Sequence, residues 1–206
     1  MENLEKKLSQ TINNIFIGHN LYLLSDYEKR SIIFDYLTNE LSYDFELLDK
    51  IIDCEINKTK ITRNPAQELF DVINTNKGIC NSISQYYKLL LEQVGIKSHC
   101  LICDDGTEVK HQLTLVYDKD NDIFSFDDVT SVIVKRGTKE DFFDYDLDTA
   151  NRLNQGNKIL FNNEGFFILP ESYINYLIGR EDSPTPNLET LPENISSIKN
   201  QTSKKR

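Results

Sequence analysis

No apolar run in this chain approaches the roughly 20 residues that a membrane-crossing helix needs, which argues against a spanning segment. Basic residues are the minority: 23 Lys and Arg stand against 33 Asp and Glu, a formal net charge of −10. Binding to a phosphate backbone needs clustered Lys and Arg, so nucleic acid is not an expected partner. The acidity itself reads as solubility. Glycine patterns that cradle phosphates are absent, and so is any internal repeat. The first residues lack the charged, apolar, small-residue order of a secretion signal, because Asn and Gln interrupt residues 4–16. A reduced, cytoplasmic protein is the expectation.

Cysteine is scarce, with four in 206 residues: Cys54, Cys80, Cys100 and Cys103. Cys100 and Cys103 form a Cys-x-x-Cys beside His99, but a zinc site needs further spaced ligands, and only Cys54 and His19 remain. On a strand the two thiols would also point to opposite faces. The pair reads as packing, free of metal and of a disulfide. Residues 118–122 begin like a calcium loop. Ile123 then stands where glycine is required, and Val129 where the bidentate glutamate belongs, leaving a polar turn. No metal and no cofactor is expected.

What the chain has is apolar periodicity. Residues 2–16 repeat Leu4, Leu8, Ile12, Ile15 and Phe16 on one face of a helix. Ser25 and Asp26 are placed to cap a second helix carrying Ile32, Ile33, Tyr36, Leu37 and Leu41. A third, over residues 65–74, opens on Pro65. A fourth starts at Cys80 and carries Ile83, Tyr86, Tyr87, Leu90, Leu91 and Val94, with Gly95 as its stop. The period then falls to two, predicting strands at 98–103, 108–117, 123–127 and 131–134. A helical stretch follows over 138–153. A hairpin is expected across 158–169 and a closing helix over 171–178. Helices first and antiparallel strands afterwards predict an α+β fold, one domain over residues 1–180. Three of the five prolines fall beyond residue 181 among Ser, Thr and Asn, so residues 181–206 read as a disordered tail, and the closing Lys204, Lys205 and Arg206 as a solvated terminus.

The chemistry concentrates in residues 77–130. Cys80 opens a helix, where the positive end of the dipole favours thiolate. His111 opens the alternating strand His111-Gln112-Leu113-Thr114-Leu115-Val116-Tyr117, and Asp127 and Asp128 end the strand Ile123-Phe124-Ser125-Phe126. That is the order nucleophile, base, orienting carboxylate. Phe124 and Phe126 share one strand face, so strict alternation sends Asp127 to the other. This favours Asp127 as the carboxylate, with Asp128 as its rival. His19 and His99 read as surface or satisfied histidines, and Phe142, Phe143 and Tyr145 as core.

Gly78-Ile79-Cys80, Gly95-Ile96, His111 and the aromatic strand ending in Asp-x-Thr (Asp128-Val129-Thr130) together resemble the transglutaminase-like superfamily, relatives of papain-type cysteine proteases. The resemblance covers roughly residues 26–131. It departs from the family pattern where Ser82-Ile83-Ser84 replaces Gly-Tyr-Ala, and where His111-Gln112-Leu113-Thr114 lacks the aromatic of the histidine motif. It implies a papain/transglutaminase-like core, with N-terminal helices and a nucleophile helix packed on an antiparallel sheet. The implied activity is a Cys-His-Asp enzyme acting on amide bonds of a peptide or protein through a thioester. The backbone N–H of Cys80 is the expected oxyanion donor, joined by a side chain from Tyr43, Gln67 or Asn76. Water as the default acceptor favours hydrolysis over amine transfer. The alternative is a binding module that kept the fold and lost the activity.

Overall fold

The computed structural model describes residues 2–59, 65–103, 111–118 and 123–146. The expected hairpin, the closing helix, the 181–206 tail and the boundary at residue 180 lie outside the described residues, as does the side chain of Cys103.

Helices come first, as the periodicity predicts. Helix α1 (Glu2–Ile15) buries Leu8 and Ile12, with Phe16 just past its end. Helix α2 (Asp26–Glu40) starts at a reciprocal cap: the Glu28 N–H donates to Ser25 Oγ at 3.2 Å, and the Ser25 N–H donates back to the Glu28 carboxylate at 2.8 Å. A two-residue strand β1 (Ser42–Tyr43) leads into α3 (Phe45–Ile56), and α4 (Pro65–Thr75) leads into β2 (Lys77–Gly78). Next come α5 (Cys80–Gln93) and a three-stranded antiparallel sheet in the order β3 (Ser98–Cys103), β4 (His111–Asp118), β5 (Ile123–Asp127). Two short helices close the described part, α6 (Val129–Ile133) and α7 (Lys139–Phe142). The fold is mixed α and β, helices around one small antiparallel sheet, compatible with α+β. None of the described helices is long and apolar enough to cross a membrane.

Helix α5 is the central element, packed against α1, α2, α4, α6, β3 and β4. Its Ile83, Tyr87, Leu90 and Leu91 are wholly buried against Ile33, Phe34 and Leu37 of α2, Val72 of α4 and Val116 of β4. Burying each such aliphatic side chain contributes about 1.5–3 kcal/mol, which fixes α5 as the reference for everything docked on it. Its end is a Schellman turn: Gly95 sits at φ +81°, its N–H reaches the Glu92 carbonyl, and the Ile96 N–H reaches that of Leu91.

Two expectations need correction, and one helix has no counterpart in the sequence reading. Residues 131–134 are not a strand: Ser131, Val132 and Ile133 belong to α6 and Val134 is its C-cap, because the Asp128 side chain accepts the Ser131 N–H and caps a helix there. The helical stretch after residue 138 ends at Phe142: Phe143 is extended, and Tyr145 bridges back to Phe126. Helix α3 went unpredicted, although Asp44 accepts the Leu47 N–H in the manner of an N-cap.

Candidate active site

The nucleophile turn is built by β1 and β2. Their parallel pairing sets Tyr43 opposite Gly78, with the Asp44 N–H donating to the Gly78 carbonyl at 2.8 Å. Tyr43 is thereby placed beside the start of α5. Gly78 is required by crowding, since a Cβ there would lie 2.7 Å from Ser82 Oγ and 2.9 Å from a Val72 methyl. Ser82, a departure from the family pattern, has a local use: its hydroxyl accepts the Ile79 N–H at 3.2 Å and so caps the nucleophile turn.

Cys80, buried on the first turn of α5, is hydrogen-bonded to His111. His111 heads β4, which Ser84 Oγ ties to α5 by donating to the Gln112 carbonyl at 3.0 Å. The imidazole Nε2 lies 2.8 Å from Asp128 Oδ2, leaving Nδ1 to face the sulfur. Asp128 in turn accepts the Ser131 hydroxyl at 2.7 Å and the Ser131 N–H at 3.0 Å. Sulfur, imidazole and carboxylate therefore form one chain, closed at its far end by α6.

The carboxylate on the imidazole is Asp128, which corrects the preference for Asp127. Asp127 does point away from the Phe124 and Phe126 face, as the pleat requires, but that face turns toward Arg30 and Tyr87. Both Asp127 oxygens accept from Arg30, at 2.9–3.3 Å, and Tyr87 donates its hydroxyl to one of them at 2.8 Å. Asp128 escapes the pleat because β5 ends one residue before it.

Of the three oxyanion candidates, only Tyr43 reaches the site. Its hydroxyl accepts the backbone N–H of Cys80 and contacts the sulfur. Gln67 is exposed on α4, where its amide donates to Asp71 at 2.7 Å. Asn76 is the exposed left-handed residue (φ +56°) that turns the chain from α4 into β2, a conformation asparagine tolerates.

Electrostatics follow the geometry. Burial alone would raise the Cys80 thiol, but the hydrogen bond and charge of His111, and the Gln112 N–H, outweigh it and bring the thiol below its ordinary value. Burial alone would lower His111. The charge and hydrogen bond of Asp128, with the contact to Cys80, prevail and raise it to about 10. The two shifts together favour the thiolate–imidazolium form of the pair. Tyr43, pushed up by burial and then by the Cys80 charge, stays a neutral donor. Cys100 is a foil, its thiol pushed up to about 12 by burial. Iodoacetamide at neutral pH should therefore modify Cys80 on the order of 10²-fold faster than Cys100. His111→Gln should move the onset of Cys80 alkylation to higher pH, since it removes the main cause of the lowered thiol. Peptide mapping after timed alkylation measures both, and equal rates at the two cysteines would refute the ion pair.

An open cavity of about 430 Å³ begins one residue beyond both Cys80 and His111, lined in part by Asn81, Gln85, Lys88 and Gln112. Among the described residues no cluster of three or more His, Cys, Asp or Glu side chains is placed to hold a metal ion.

No family model matches this chain, and no curated protein matches it. A solved structure described as the crystal structure of a TGase is similar to it with a TM-score of 0.48 at 18% identity, over 61% of this chain and 31% of its own length. The chain thus spans under a third of that neighbour.

Proposed function

We propose that this chain is a cysteine-dependent acyl-transfer enzyme of transglutaminase-like type, acting on amide bonds of a peptide or protein. The observation that carries the reading is the continuous chain from Cys80 through His111 to Asp128 on the rigid start of α5. The Cys80 thiolate attacks the amide carbon, and the electron pair of the carbonyl moves onto oxygen. The Tyr43 hydroxyl donates to that oxyanion, and the Cys80 N–H, which meets the Tyr43 oxygen in the resting site, turns to it as the second donor. On collapse the C–N bond breaks, the leaving amine takes the proton from His111, and a thioester remains on Cys80. Water, or a second amine, then gives its proton to His111 while attacking the thioester, and the thiolate leaves. Asp128 holds the imidazole in one orientation throughout and stabilises its charged form.

A library of peptides containing glutamine and asparagine side-chain amides tests the reading. Intact mass should show a hydroxylamine-sensitive adduct on the protein, absent from Cys80→Ala. Failure to acylate any member, with Cys80 fully reduced, would favour the binding-module alternative.

Tyr43→Phe keeps the ring and its edge-on packing against Phe45 (5.0 Å between centroids) while removing the hydroxyl. Turnover should fall about 10²–10³-fold with KM little changed, the size expected for one lost oxyanion donor. Gln67→Ala should leave turnover unchanged. Steady-state kinetics of the two variants decides the assignment, and wild-type turnover in Tyr43→Phe would remove Tyr43 from the mechanism.

A further inference from the structure

One residue ahead of Asp128 lies a second buried charge cluster that the chemistry does not use. The side chains of Arg30 and Asp127 are 1% and 0% exposed. Arg30 Nη2 donates to both Asp127 oxygens (2.9 and 3.0 Å) and to Ser125 Oγ (2.9 Å), its Nε to Asp127 (3.3 Å), and its Nη1 to Asp144 (3.1 Å). Asp127 also accepts the Tyr87 hydroxyl and the Asp144 N–H, both at 2.8 Å. The Phe143 ring lies 5.2 Å from the guanidinium carbon. One guanidinium–carboxylate pair thus joins α2, α5, the last residues of β5 and the 143–145 segment.

A charge pair this deep is an uneconomical filler. Both ions lose their hydration, and apolar side chains of the same volume stabilise a core equally well or better. What it supplies beyond packing is a fixed position, because a planar guanidinium bonded to both carboxylate oxygens allows little rotation. The position it fixes is the end of β5. Asp127 makes the last β4–β5 pair, opposite Thr114, and the next residue leaves the sheet at φ −124° and ψ 79° with its N–H on the Phe142 carbonyl at 2.8 Å.

We propose that Arg30 and Asp127 are positioning residues for the candidate triad: their pair pins the end of β5 so that Asp128 emerges facing His111. The inference rests on the Cys80–His111–Asp128 reading for its catalytic consequence, but its structural claim has a readout that needs no substrate. His111 is faced by Cys80 of α5 and Asp128 ahead of α6, and Tyr43 of β1 contacts Cys80 and lies within the field of the Asp128 charge. None of these is altered by changing the pair.

The test compares the full chain with Arg30→Met/Asp127→Leu, which replaces the pair by apolar groups, and with Arg30→Lys, which keeps the charge but loses the planar fork. Thermal melting, NMR titration of the His111 ring and steady-state kinetics are measured on each. The double variant should melt close to the wild type. Its His111 pKa should fall by a unit or more from about 10 as Asp128 loses its alignment. Its kcat should fall about 10²-fold with KM little changed, the scale of a misplacement of about 1 Å. Arg30→Lys should shift both readouts in the same direction by less, and it serves alone if the double variant does not fold. An unchanged His111 titration in a folded variant would overturn the inference. If the wild type shows no turnover, the proposed function fails while the titration still decides the positioning claim.

Discussion

Asp128→Asn is expected to lower turnover by about 10⁴-fold while leaving the protein folded. The size is that of a triad carboxylate replaced by its amide, where the geometry survives but the imidazole is held in the wrong tautomer. Here the cause is explicit. Asp128 accepts from His111 Nε2, so Nδ1 is free to serve the sulfur. An asparagine can turn its NH₂ toward Nε2, which makes Nε2 the acceptor and leaves the proton on Nδ1. His111 then cannot take the thiol proton, and the carboxylate charge that raises its pKa is gone. The fold should tolerate the change because asparagine is as good an N-cap as aspartate, so the Ser131 N–H that starts α6 keeps its acceptor. Kinetics and a melting curve on the same preparation separate the two effects. Turnover within tenfold of the wild type would remove Asp128 from the mechanism.

That Asp128 rather than Asp127 carries this prediction shows where sequence reading stops. Local signals were legible: the Ser25 cap, the apolar stripe of α5, its Gly95 stop, and the alternation of β4 and β5. The pleat argument correctly sent Asp127 away from Phe124 and Phe126. It could not say what lay on the other side. The answer is Arg30, which comes 97 positions earlier in the chain. One clue was present, because Arg30 shares the buried stripe of α2 with Ile33, Phe34 and Leu37, where a charge must find a partner. The residues Ser131, Val132, Ile133 and Val134 carried a second clue. The β-branched Val132, Ile133 and Val134 read as a strand, yet Asp128 followed three residues later by Ser131 is also a helix cap, and the cap prevails. Tyr43 illustrates the opposite limit. Nothing local in Ser42-Tyr43 distinguishes it from Gln67 or Asn76 as an oxyanion donor. A two-residue parallel pairing with Lys77-Gly78 does so, and that pairing is tertiary information.

The same buried pair sets the largest expected effect on stability. Arg30→Ala should destabilise the protein by about 3–5 kcal/mol, because it leaves the Asp127 charge buried without its counter-ion, and Asp127→Ala by somewhat less, because Arg30 keeps Asp144 as a second, partly exposed partner. For a chain of this size the melting temperature should fall on the order of 10 °C. Losing Arg30 strands a carboxylate that keeps only the Tyr87 hydroxyl and the Asp144 N–H. Losing Asp127 strands a guanidinium that keeps only Ser125 and Asp144. Surface pairs provide the contrast: Lys88 and Glu92, one turn apart on α5 at 2.5 Å, are partly exposed, and breaking that bridge should change stability by about 0.5 kcal/mol or less. The charge itself is not what the core needs. The Arg30→Met/Asp127→Leu variant should therefore be more stable than either Arg30→Met or Asp127→Leu alone, which additive contributions could not produce. Urea unfolding of the single and double variants measures this coupling directly. A cost below about 1 kcal/mol for each single variant would mean that water or a rearranged partner reaches the stranded charge, and that the end of β5 is held by its backbone alone.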